Sequence, residues 1–167
     1  MSDWQALAHF LYGRGFWYSD PLKEIEGLTE EQLYWVPDVN SFCILWHVGH
    51  IAHRERVHIG IFLQGLTGAI IPPQYDVFGT DWCTPEEVRR SVGPVEQVLS
   101  WVRDVREGSH EYIASLADED LFRLVPTSED ELTVGHWLFI TTAHTALHLG
   151  RIQLLRALVE GKHDRAC

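Results

Sequence analysis

The stretch LTVGHWLFITTAHTALHLGRIQLLRALVE, Leu132 to Glu160, decides the fold. It reads as one long helix, entered through the acidic run Ser128-Glu129-Asp130-Glu131 and stopped at Gly161. His144 and His148 stand four residues apart, so they share one helix face, one turn above the other. Two imidazoles so placed can each reach one ion at about 2.0–2.1 Å. Ala143 and Leu147 flank the pair, which predicts that this face points inward. Buried imidazoles cost free energy unless they are bonded, and a metal ion is one partner that serves both.

Working outward, apolar spacing predicts three more helical regions. One runs from about Asp3 to Glu26, with Trp4, Leu7, Leu11, Tyr18, Leu22 and Ile25 on a stripe and Pro21 able to restart it after Asp20. A second runs from about Phe42 to Gln64 and ends before Gly65. A third opens at Thr84-Pro85-Glu86-Glu87, which combines a capping hydroxyl, a first-turn proline and a returning carboxylate. Gly93-Pro94 breaks it, and a longer helix follows with Val95, Val98, Leu99, Val102 and Val105 in register. No segment shows sustained strand alternation. The expected architecture is all-α: a four-helix bundle with one long crossover loop, Gly65 to Cys83, in a single domain spanning residues 1–167. A weak internal repeat is visible, with Leu28-Thr29-Glu30-Glu31 echoed by Leu116-Ala117-Asp118-Glu119 and Val48-Gly49-His50 by Val134-Gly135-His136.

Composition narrows the function classes. The formal net charge is -11 with no run of Lys or Arg, which argues against nucleic acid and against an anionic membrane surface. The three cysteines, Cys43, Cys83 and Cys167, are scattered and form no CxxC, so a reducing cytosol is expected, and Cys43 and Cys83, with nothing electropositive beside them, are expected to be buried and inert. Met1-Ser2-Asp3-Trp4 does not start a signal peptide, and no apolar stretch is long enough to span a bilayer, so a cytoplasmic location is expected. Ten histidines are many for 167 residues, and they cluster.

The second helix offers His47, His50, His53 and His58 as a third ligand to accompany His144 and His148. His47 and His50 lie on nearly the same face and compete for that place. Three protein ligands with open positions are the pattern of a reactive metal site. Rival chemistries lack parts. A zincin needs Glu beside the first His, where this chain has Thr145, and a di-iron bundle needs acids that the fourth helix carries only at its ends, Glu131 and Glu160. Glu55 is read either as a hydrogen-bond partner that fixes a ligand imidazole or as a plain surface acid. His53 and His58 are expected around the site or on the surface, His136 is expected to pack near the start of its helix, and His9, His110 and His163 are read as structural or solvated.

Trp46-His47-Val48-Gly49-His50-Ile51-Ala52, with Glu55 after it, resembles the second helix of the DinB-like (YfiT-like) metalloenzyme superfamily. His144-x-x-x-His148-x-Gly150, with Ile152, Leu155 and Arg156, resembles the last helix of that family. The resemblance implies a four-helix bundle, often a homodimer, with one metal ion (zinc, nickel or iron) held by a His triad. It places His50 first in that triad and completes it with His144 and His148. It implies an enzyme that uses a low-molecular-weight thiol on an electrophilic small molecule, a metal-dependent transferase or hydrolase. The alternative is a non-catalytic metal-binding or stress-response bundle. Many members end the motif with His-Arg-Gly-Gln, whereas this chain has Leu149 and Arg151 at the Arg and Gln positions, and Arg151 is read as a solvated surface residue.

Overall fold

The computed structural model describes residues 20–127 and 131–161. The anticipated helix from Asp3 therefore lies outside the described residues up to Ser19, as do His9, His163, Cys167 and the run Ser128 to Asp130. The fold is predominantly helical, as expected. Helix α1, Pro21–Glu24, is capped by Asp20, whose carboxylate accepts the Leu22 N–H while Pro21 needs no donor partner. Helix α2, Glu30–Tyr34, opens with a capping box between Thr29 and Gln32.

Helix α3, Ile44–Glu55, passes without a break into a π-helical turn, Arg56–Leu63. Backbone bonds five and six residues back, from Gln64 to Ile59 and from Leu66 to Gly60, close it before Gly65 takes a positive φ of 68°. The crossover that follows is not featureless: Pro73–Gly79 forms a 3-10 turn. Thr84 and Glu87 form the predicted capping box of helix α4, Pro85–Val92. Gly93-Pro94 separates α4 from helix α5, Val95–Ser115.

The last helix, α6, covers Val134–Val159 and is capped by the Thr133 hydroxyl. It starts two residues later than read from the sequence, because Glu131–Thr133 is a strand, β2. That strand pairs antiparallel with β1, Leu124–Pro126. Three residues per strand are too few to show alternation, so this hairpin leaves no sequence signature.

Helix α3 is the centre of the packing. It contacts α6, α5, α2 and the 3-10 turn, while the π-helical turn packs on α6 and α5. Phe78, from the 3-10 turn, is fully buried and lies over Gly49 of α3. A Cβ at Gly49 would come within 2.5 Å of three Phe78 ring atoms, so only glycine admits this approach. Elsewhere on α3, Glu55 is fully buried and its Oε1 accepts a hydrogen bond from Arg106 Nη1 of α5 at 2.5 Å. Glu55 is therefore not the plain surface acid of one sequence reading: it is a core carboxylate neutralised by a buried guanidinium. No helix of the described residues is long and apolar enough to cross a membrane.

Candidate metal centre

Helices α3 and α6 run antiparallel, because their contacts step in opposite directions. His47 touches His148, His50 touches His144, and His58 touches Thr141. Three of these side chains converge. His50, His144 and His148 each bring a ring nitrogen to within 4.8 Å of the other two, and the group could hold a metal ion. His50 Nε2 and His144 Nε2 are 3.0 Å apart. Two nitrogens at about 2.0–2.1 Å from one ion are separated by about 2.9 Å at a right angle and about 3.4 Å at the tetrahedral angle, so this spacing suits a shared ion. The donor set fits a divalent transition metal. Neutral imidazoles suit zinc, nickel, copper and iron alike.

The crossover loop sets the tautomer of His50. His50 Nδ1 lies 2.6 Å from the Phe78 carbonyl oxygen. A carbonyl can only accept, so Nδ1 carries the proton and Nε2 presents its lone pair to the cluster. Trp46 stacks on His50, 4.3 Å between ring centroids, and its Nε1–H donates to Val77 O at 3.1 Å. Two successive carbonyls of the 3-10 turn therefore orient the aromatic wall of the site. Gly79 presses on it too, since a Cβ there would sit 2.6 Å from His53 Cε1.

His47, the rival ligand, has its own place. Its Nδ1 lies 2.9 Å from His148 Nδ1, so it pairs with a member of the cluster from outside the group of three. His58, expected near the site or on the surface, is buried in the π-helical turn. In a straight α-helix, eight residues would leave it about 80° around the axis from His50; the wider π turn alters that phase and brings it against α6. Thr141 Oγ1 donates to Trp137 O at 2.8 Å, so its remaining lone pairs accept from His58 Nδ1–H at 3.0 Å. The His58 ring stands edge-on to His144, 6.5 Å between centroids. The available signals for His58 are a histidine eight residues from His50 and Thr141 less than a turn before His144; the π turn itself has no sequence signature.

Ala143 and Leu147 do not mark the inward face of α6, although the histidines beside them do converge. Ala143 is exposed and Leu147 is 56% exposed. The inward face is Trp137, Thr141, Thr145, His148 and Ile152. The helix is apolar on both sides, with Phe139 and Leu154 also outward, so apolar neighbours carry no direction. His136 likewise begins its helix with an exposed side chain and is no counterpart of the buried His50.

Burial is the main force on the protonation of the cluster. It depresses His148 to about 2, His47 to about 3 and His50, His58 and His144 to about 4. Neighbouring imidazoles and the guanidinium groups of Arg54 and Arg151 push in the same direction, while the Phe78 hydrogen bond partly opposes it at His50. All five are neutral at pH 7, the state that metal ligation requires. His144 Nδ1 is buried and has no hydrogen-bond partner among the described residues. Cys43 and Cys83 are free and buried, and burial pushes Cys43 up to about 12, so neither is a nucleophile.

The fold and the clustered imidazoles define a helical bundle with a candidate His-only metal centre. A family model of the DinB superfamily matches residues 19–152, and the chain belongs to that superfamily. A crystal structure of a conserved protein from Enterococcus faecalis is similar, with a TM-score of 0.73 at 17% identity, covering 96% of this chain and 99% of the other. At that identity the likeness shows the fold alone. No curated protein matches the chain.

Proposed function

We propose that this protein binds one divalent transition-metal ion through His50, His144 and His148 and acts on small molecules with a low-molecular-weight thiol. The observation that carries this reading is the convergence of three neutral imidazoles from α3 and α6. A bound ion would supply Lewis acidity, lowering the pKa of a thiol or water that reaches its open position. The protein supplies the rest. The Phe78 carbonyl holds His50 in the ligating tautomer, His47 braces His148, and Trp46 walls one side against solvent. His58 keeps its Nε2 lone pair free beside His144, because its Nδ1–H is spent on Thr141. Transfer of the thiol to an electrophilic carbon needs no further protein nucleophile, which agrees with the inert cysteines. Turnover of electrophilic substrates by zinc-, nickel- and iron-loaded protein with bacillithiol, mycothiol and glutathione tests it. Metal-dependent product formation with one thiol is expected, and none with any thiol would overturn the enzymatic reading.

A second reading, a non-catalytic metal-binding bundle, draws support from Glu55. The carboxylate nearest in sequence to the ligands is committed to Arg106, which removes the most obvious acid–base partner. The homodimer belongs to the proposal as well. Ile140, Leu147 and Leu154 repeat every seven residues on the exposed side of α6, and Phe139 lies beside them.

A further inference from the structure

We propose that the ligand of this centre is an elongated anionic thiol, with carboxylates held by Arg54 on one side of the histidines and Arg151 on the other. This rests on the metal-and-thiol reading above and adds the charge and shape of the molecule.

The two helices that build the centre are almost free of acid. Between Ile44 and Leu63 the only carboxylate is Glu55, taken by Arg106, and between Val134 and Val159 there is none. The same segments carry four arginines. Arg56 donates to Ile70 O, and Arg156 is held by the Glu24 and Glu26 carbonyls and by Glu160. Arg54 and Arg151 have no hydrogen bond or ion pair with any described residue. In a chain of net charge -11, two cations without a carboxylate partner give this one site a local positive field that suits an anionic ligand.

Helix geometry places both at the site. Arg54 is four residues after His50, one turn along the same face, and Arg151 is three residues after His148. Because the helices are antiparallel, these steps lead away from the cluster in opposite directions. At a rise of 1.5 Å per residue, and with His47 level with His148, the two backbone positions are about 15 Å apart along the axis, with the histidines between. The electrostatics agree: the Arg54 charge acts on His50, His53, His58 and His144, and the Arg151 charge on His47, His144 and His148. Arg151 is exposed and Arg54 half-buried, so both can meet a solute. Guanidinium groups receive carboxylates bidentately. Two such forks about a central cation fit a peptide-sized thiol with a carboxylate toward each end.

Titration calorimetry of the zinc-loaded full-length protein tests this with glutathione and its diethyl ester, which keeps the thiol but loses both carboxylate charges. Glutathione is expected to bind at least ten-fold tighter than the ester. The preference should shrink in Arg54→Gln and in Arg151→Gln and vanish in the double variant, at unchanged zinc content. Equal affinity for acid and ester, or a preference that survives in the double variant, would overturn the proposal. S-methylglutathione, with no free thiol, separates this from the metal reading. If the chain holds no zinc, that reading fails, yet arginine-dependent binding of S-methylglutathione still upholds the anion site and its absence refutes it.

Discussion

Replacing Gly49 with alanine tests how the crossover loop governs the metal centre. The added Cβ would lie 2.5 Å from Phe78 Cδ1, Cε1 and Cζ, where ordinary carbon contacts need about 3.5–4.0 Å. The deficit is roughly 1 Å, and Phe78 is fully buried, so the ring cannot swing into solvent. The 3-10 turn must lift away from α3. Overpacking of this kind costs about 1–3 kcal/mol. The lift also stretches the 2.6 Å bond from His50 to Phe78 O and the 3.1 Å bond from Trp46 to Val77 O, each worth about 1 kcal/mol. Less the roughly 1 kcal/mol that alanine gains over glycine inside a helix, the expected loss is about 2–4 kcal/mol of unfolding free energy, read from urea denaturation. With the carbonyl partner of a ligand disturbed, zinc affinity should fall about 10–100-fold, read by competition with a chelating dye. Gly108→Ala in α5 is the control. Nothing lies within 4 Å of the position its new methyl group would take, and the helix interior should gain about 0.5–1 kcal/mol. A Gly49→Ala protein with wild-type stability and wild-type zinc affinity would refute the role given to the loop.

Acid should unfold the metal-free protein early. The five imidazoles are depressed on folding, so the unfolded chain binds more protons and stability, full above about pH 6.5, declines as pH falls toward their folded values of about 2 to 4. The loss is about 2 kcal/mol per imidazole by pH 5, seen as a falling circular-dichroism midpoint, and stability flat between pH 7 and 5 would contradict it. Arg106→Met removes the guanidinium that neutralises the buried Glu55 carboxylate and should cost about 3–5 kcal/mol, whereas the Glu55→Gln/Arg106→Met double variant should recover part of it, both read from urea denaturation. Glu55→Gln alone should leave zinc affinity unchanged, and a ten-fold loss would return Glu55 to the site. Sedimentation should show a dimer that Leu147→Glu, on the exposed side of α6, converts to monomer; a monomeric wild type removes the dimer from the account.

Much of this architecture is legible in the sequence because its signals are local. Thr84-Pro85-Glu86-Glu87 specifies a helix start within one turn, Gly93-Pro94 specifies a break, and His144 and His148 share a face by spacing alone. Phe42 to Gln64 reads as one helix, and the chain does run helically from Ile44 to Leu63 without interruption. The unread parts depend on partners distant in sequence. The Phe78 carbonyl meets His50 across 28 residues, and a backbone acceptor has no residue type to betray it. Arg106 finds Glu55 across 51 residues, and neither neighbourhood hints at burial of charge. The π-helical turn that carries His58 is a local hydrogen-bond shift that α-helical periodicity cannot distinguish. Leu147 misleads for a different reason: a helix apolar on both faces gives no phase.

The metal centre stands or falls on a single ion held by His50, His144 and His148. Elemental analysis of protein purified without a metal-affinity column tests it most directly. One equivalent of a transition metal is expected in the wild type and in His136→Ala, whose side chain is exposed. His50→Ala, His144→Ala and His148→Ala should each fall close to zero, and His47→Ala should retain metal at reduced affinity. Equal metal content in the wild type and all three triad variants would contradict the account.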